Sequence, residues 1–131
     1  MSRRSFHIQR DAESVTVTRY LPARFDIVVE TRFPPLRKGC LAQQIRQDLW
    51  RRLRAVRGFS PVVEVRDAGG ELHVRAGGRM DCNFPRGLTP AIEEFLAQPD
   101  LRQRWIAHAT LGGAPKTRTV ARALRRREAV D

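Results

Sequence analysis

The stretch Gly39–Gly58, GCLAQQIRQDLWRRLRAVRG, decides the fold. Leu41, Ile45, Leu49, Leu53 and Val56 recur at spacings of four, four, four and three, the apolar stripe of an amphipathic helix of about five turns. Such a stripe needs a partner surface. The other side carries Gln43, Arg46, Gln47, Trp50, Arg54 and Arg57, so Trp50 has an arginine one helical turn before it and another one turn after it. An aromatic ring among guanidinium groups can stack on a base while the charges meet phosphates. The plainer alternative is a wide stripe in which a loop or the tail half covers Trp50. Arg52 falls inside the stripe on a helical wheel, where a charge must snorkel outward or find a carboxylate. Asp48, one turn earlier, is the nearest carboxylate, and an arginine facing a substrate or partner is the other option.

Working outward, ESVTVTRY (residues 13–20) alternates and is rich in Val and Thr, as a strand should be. After the turn LPAR, FDIVVETRF puts Phe25, Ile27, Val29, Thr31 and Phe33 on one face. Together the two runs predict an opening antiparallel hairpin, which Pro34 and Pro35 stop. Beyond Gly58, read as the helix C-terminus, three short strands are expected over 61–66, 71–76 and 79–84. Gly77-Gly78 serves there as a two-residue hairpin turn. The inward face of this meander would be Val63, Val65, Leu72, Val74, Met80, Cys82 and Phe84, with His73, Arg75, Arg79 and Asp81 pointing the other way.

GLTP opens the next helix with Thr89 as N-cap, Pro90 at its first position and Glu93 and Glu94 in its first turn. Its buried face is Ile92, Phe95 and Leu96. Pro99 kinks this helix or starts another, in which Leu101, Trp105 and Ala109 align. The predicted class is α+β, an antiparallel sheet with helices packed on one face, in the order β-β-α-β-β-β-α-α. Residues 1–12 are expected to be a flexible basic lead, 13–113 a single domain, and 114–131 a basic, mobile tail.

At 131 residues the chain can bury roughly two-thirds of its unfolded surface without disulfides or metals. Cys40 and Cys82 show neither CxxC spacing nor a nearby histidine pair, and read as two reduced thiols of a cytoplasmic protein. The basic lead has no apolar run behind it, so no secretory signal is expected, and no stretch approaches the ~18 apolar residues of a membrane span. The net charge of +11 is uneven. Residues 1–58 carry thirteen basic against five acidic side chains, residues 59–113 six against seven, and residues 114–131 six against two. Such a field favours nucleic acid or an acidic protein face. Only Lys38 and Lys116 are lysine; a GC-rich coding bias would explain the choice of arginine but not the shortage of acids.

No GxSxG, HExxH, Walker loop or GxGxxG is present, and neither a cofactor nor a metal site is implied. Cys82, Asp81 and His73 could meet on paired strands, but alternation puts the thiol inward and the other two outward, so a thiol-dependent enzyme ranks third and no catalytic role is assigned. Helix, three strands, helix is similar in topology to the double-stranded RNA-binding domain, which implies an RNA contact from lysines opening the second helix. Here Glu93 and Glu94 stand there, against that contact. The expected function is a small basic binding module touching DNA or RNA through phosphates. Its candidate contacts are Arg46, Trp50, Arg54 and Arg57, joined by Arg3, Arg4 and the tail residues Arg118, Arg122, Arg125, Arg126 and Arg127. The alternative is an accessory or assembly protein that docks on an acidic protein partner, since Trp and Arg are the usual anchors of interfaces.

Overall fold

A computed structural model describes residues 6–110 of the chain. The expected tail over 114–131 and the Gly112-Gly113 boundary lie outside them. β1 (His7–Arg10), within the stretch expected to be a flexible lead, pairs as a hairpin with β2 (Ser14–Thr18), which falls in the first expected strand. Asp11 makes the turn: its Oδ1 accepts the backbone N–H groups of Glu13 and Ser14, each at 2.8 Å. β3 (Ile27–Phe33) follows, then α1 (Lys38–Leu53), β4 (Phe59–Asp67), β5 (Leu72–Met80), α2 (Leu88–Ala97) and α3 (Pro99–Ala109). The strands form one sheet in the order β1-β2-β4-β5-β3, every neighbouring pair antiparallel. All three helices lie on one face, as the α+β class predicts.

Alternation along each strand sets that face. Val15 and Val17 of β2, Val63 and Val65 of β4, Leu72, Val74 and Ala76 of β5, and Ile27 and Phe33 of β3 are all buried. Leu41, Ile45, Leu49 and Leu53 of α1 close over β2 and β4. Nearer β3, Phe95 of α2 and Trp105 of α3 build an aromatic cluster with Phe33, with ring centroids 5.3 and 6.2 Å from Trp105. A buried indole needs a partner for its N–H. Trp105 Nε1 donates to Asp48 Oδ2 at 2.7 Å, and the same carboxylate takes Arg104 at 2.8 Å and Arg51 at 3.3 Å. Asp48 is therefore engaged from α1 itself and from α3, not by Arg52, which lies 5.5 Å from the centre of the Phe95 ring. The expected Arg52–Asp48 pair does not form: an arginine on the stripe's flank reaches across an aromatic face, while the carboxylate turns inward.

The strand pairing departs from expectation in two places. β2 and β3 both exist but do not pair, because β4 and β5 lie between them. The connection 19–26 has to cross the end of the sheet, too far for a hairpin turn, and β1 supplies β2 with the partner that β3 does not. After α1 come two long strands instead of three short ones, because Gly77 and Gly78 sit within β5 instead of turning the chain. A Cβ at Gly77 would overlap the Ile27 carbonyl, and one at Gly78 the Ser60 carbonyl. The pair thus lets β3 and β4 approach closely on both sides, the other use of glycine in a strand. Cys82 and Phe84 consequently fall beyond β5 and are exposed, not inward. The likeness in order to the double-stranded RNA-binding domain ends here, since it needs three strands after the first helix.

Two helix ends also shift. α1 closes at Leu53, and Gly58, at φ +77°, turns the chain into β4. α2 begins at Leu88 behind Gly87, at φ +86°, so Thr89 is not the cap, and neither Glu93 nor Glu94 lies in the first turn. Pro99 starts α3 at the position where its missing N–H costs nothing.

Candidate nucleic-acid interface

The end of the sheet where β2 finishes and β3 begins is also where α1 finishes, since Thr18 pairs with Val62, Ile27 with Gly78 and Phe59 with Met80. We call it the exit end. The opposite, hairpin end holds the β4–β5 turn and the start of α1, tied together by Lys38 and Asp67 at 3.0 Å.

The four α1-side candidates have different fates. Arg46 turns back over the Phe6 ring at 4.2 Å and donates to Gln43 Oε1 at 3.1 Å, with its Nε buried and unpartnered among the described residues. Burial, and secondarily the charge of Arg51, push its pKa below that of an ordinary arginine; it stays charged at neutral pH but packs as a lid on Phe6. Trp50 is 36% exposed. Arg54 lies 5.4 Å from its ring centre, within the ~6 Å reach of a cation–π contact. Arg57 is exposed, and its guanidinium has no partner among the described residues. The geometry therefore keeps Arg54 on Trp50, leaves Arg57 exposed in the turn before Gly58 and detaches Arg46. Arg3, Arg4, Arg118, Arg122, Arg125, Arg126 and Arg127 lie outside the described residues.

Ion pairing divides the remaining charge by location. Toward the hairpin end and across the open sheet face, Arg66 meets Glu64 at 3.3 Å and Glu13 at 3.5 Å, Arg75 meets Glu64 at 3.3 Å, and Arg32 meets Glu71 at 3.2 Å. At the exit end the exception is Arg24 with Asp26, at 2.7 Å. The Asp26 carboxyl is held below the usual range by Arg24 first and by the Met80 N–H second. Arg54, Arg57, Arg19, Arg79 and Arg86 have no carboxylate at ion-pair distance among the described residues, although the charge of Asp26 reaches Arg79, and the same end bears the exposed Tyr20 and Phe84. Asp26 is thus occupied locally, and Glu30, opposite Arg75 on the open face, does not reach the α1 arginines.

Sequence reasoning missed Arg19, Tyr20 and Arg79. Tyr20 is 49% exposed, with Arg79 and Arg19 at 5.6 and 5.9 Å from its ring centre. The Arg19-Tyr20 step was visible and Arg79 was read as outward, but pairing β2 with β3 and turning the chain at Gly77-Gly78 hid that Arg79 meets Tyr20.

The thiol grouping does not assemble. His73 lies near the start of β5, 3.7 Å from Glu71, and Cys82 beyond its far end, with Sγ 3.7 Å from the Arg57 carbonyl. At about 3.3 Å per residue the strand from His73 to Met80 alone separates them by more than about 20 Å. Among the described residues no three His, Cys, Asp or Glu side chains gather as metal ligands, and no helix is long and apolar enough to cross a membrane. Comparison with family models, with curated proteins and with solved structures found no match, so the site stands on its own geometry.

Proposed function

We propose that the chain is a cytoplasmic, non-enzymatic binding module that contacts nucleic acid, DNA or RNA, mainly through phosphates at the exit end. The observation that carries this is that Arg54 and Arg19, with no carboxylate at ion-pair distance among the described residues, flank the exposed rings of Trp50 and Tyr20 at the exit end, whose connections also bear the exposed Arg57 and Arg86, while Arg66, Arg75 and Arg32 elsewhere are paired with acids. Guanidinium groups in that state are available to phosphate oxygens, and such contacts position a nucleic acid without reading its sequence. The exposed Cys82 and Cys40, whose Sγ donates to the His108 carbonyl at 3.1 Å, fit a reducing compartment.

About four phosphate contacts imply that affinity for mixed-sequence DNA or RNA drops on the order of a hundredfold between about 50 and 200 mM salt, through counterion release. Fluorescence anisotropy with a labelled oligonucleotide measures this, and lack of binding at the lower salt would remove the proposal. Docking on an acidic protein partner is the second reading. It is favoured by Leu21 and Phe84, exposed at the same end and of no use to a phosphate. A partner recovered from cell extract undiminished by nuclease would support it.

A further inference from the structure

We propose that the exit end takes an unpaired, single-stranded segment of nucleic acid in preference to a duplex, with bases stacked on Trp50 and Tyr20 and the backbone passing Arg54, Arg57, Arg79 and Arg19. This rests on the nucleic-acid reading above and narrows it to one class of ligand.

The first support is the difference between two kinds of arginine–aromatic contact in this molecule. Arg102 lies 4.1 Å from the centre of the buried Phe33 ring, and Arg46 4.2 Å from that of Phe6. Those are packing contacts, and Arg102 is further fixed by bonds to Thr31 Oγ1 at 3.0 Å and the Leu96 carbonyl at 3.0 Å. Arg54 over Trp50, and Arg79 and Arg19 over Tyr20, stand at 5.4, 5.6 and 5.9 Å, near the limit of such contacts, on rings that are one-third to one-half exposed. Neither ring joins the apolar core. Loosely attended aromatic faces with cations alongside are what successive bases stack on in sequence-tolerant single-strand recognition. A duplex keeps its base faces inside its own stack and offers these rings nothing.

The second support is the path between the rings. Trp50 belongs to α1, on the helix side of the sheet. Arg79 alternates with the buried Met80 and points to the open side, so Tyr20 beside it marks that side. Arg54 and Arg57 follow Trp50 toward the Gly58 turn, and Ser60, just after it, pairs with Arg79. A ligand touching both rings must bend over the end of a single sheet. Duplex DNA, with a persistence length of about 50 nm, is far too stiff to follow it, and a single strand is not. Asp81, next to Gly58 on this path, and Asp26, which reaches Arg79 but is itself ion-paired with Arg24, oppose the four arginines only in part, so the path stays positive.

The test uses the full chain at about 50 mM salt with a twelve-nucleotide oligothymidylate, a duplex of equal length and poly-glutamate. Because Trp105 is fully buried, quenching reports Trp50. The expected results are quenching by the single strand and at least tenfold tighter binding of it than of the duplex. Trp50→Ala and Tyr20→Ala should each weaken the single strand about tenfold by anisotropy, with unchanged far-ultraviolet circular dichroism, and Tyr20→Phe should restore it. Equal or tighter duplex binding, or alanine variants that keep full single-strand affinity, would overturn the stacking proposal while the phosphate reading stands. Binding of neither nucleic acid, or equally tight binding of poly-glutamate, would overturn both.

Discussion

Asp48 is the residue on which the helical layer depends. It is buried within α1, and its carboxylate joins that helix to α3 through Trp105 and Arg104. Asp48→Ala would strand a buried indole N–H and loosen a guanidinium, and should cost about 3–5 kcal/mol in urea unfolding. Arg51→Ala removes only an exposed partner of the same carboxylate and should stay within about 1 kcal/mol; equal losses would show that the carboxylate is not held chiefly from α3. Two other carboxyls set the acid limit. Asp11 is held below its ordinary pKa by the Glu13 and Ser14 N–H groups, and Asp26 by Arg24 and then the Met80 N–H. A depressed folded pKa means that each contribution is complete above the unfolded value, about 3.9, and is lost as pH falls through the folded one. Asp26→Asn should therefore lower the Tm at pH 7, and the gap to the parent protein should close as the pH drops below about 4. A gap independent of pH would contradict this.

At the scale of elements, local pattern was legible and pairing was not. The α1 stripe, the inward residues of β4 and β5 up to Met80, and the Ile92, Phe95 and Leu96 face of α2 follow from periodicity, because each is a property of one segment and one buried side. The partner of β2 is not such a property: it depends on whether the eight-residue connection after it turns back or crosses the sheet end. The Gly77-Gly78 step was misplaced for a related reason. Glycine serves tight turns and close strand approach equally well, and only the Ile27 and Ser60 carbonyls on either side distinguish them. Gly77→Ala should thus cost about 3 kcal/mol by forcing β3 from β5. Gly69→Ala, at φ +62° with open space around it, should cost about 1 kcal/mol from its left-handed conformation alone. Matching urea midpoints for the two variants would argue against close packing at Gly77.

For the molecule as a whole, the question is where the charge of +11 is left uncompensated. Segment counts pointed to the first 58 residues, and they could go no further, because compensation is decided by the sheet order. Arg75 finds Glu64 only once β4 and β5 pair, Arg66 finds Glu13 only once β2 lies beside β4, and Arg19 and Arg79 meet over Tyr20 only once the connection crosses the sheet end. Of the α1 candidates, Arg46 was spaced like Arg54, yet it serves Phe6, a residue outside the helix that no helical wheel includes. The most direct test is the salt dependence of oligonucleotide affinity for the protein, for Arg54→Ala/Arg57→Ala, and for Arg66→Ala/Arg75→Ala. The first pair should make the slope of log K against log salt shallower by about 1.5, losing two phosphate contacts, and the second should leave it unchanged. Equal slopes for all three proteins, or a greater loss from the Arg66 and Arg75 pair, would contradict an interface at the exit end.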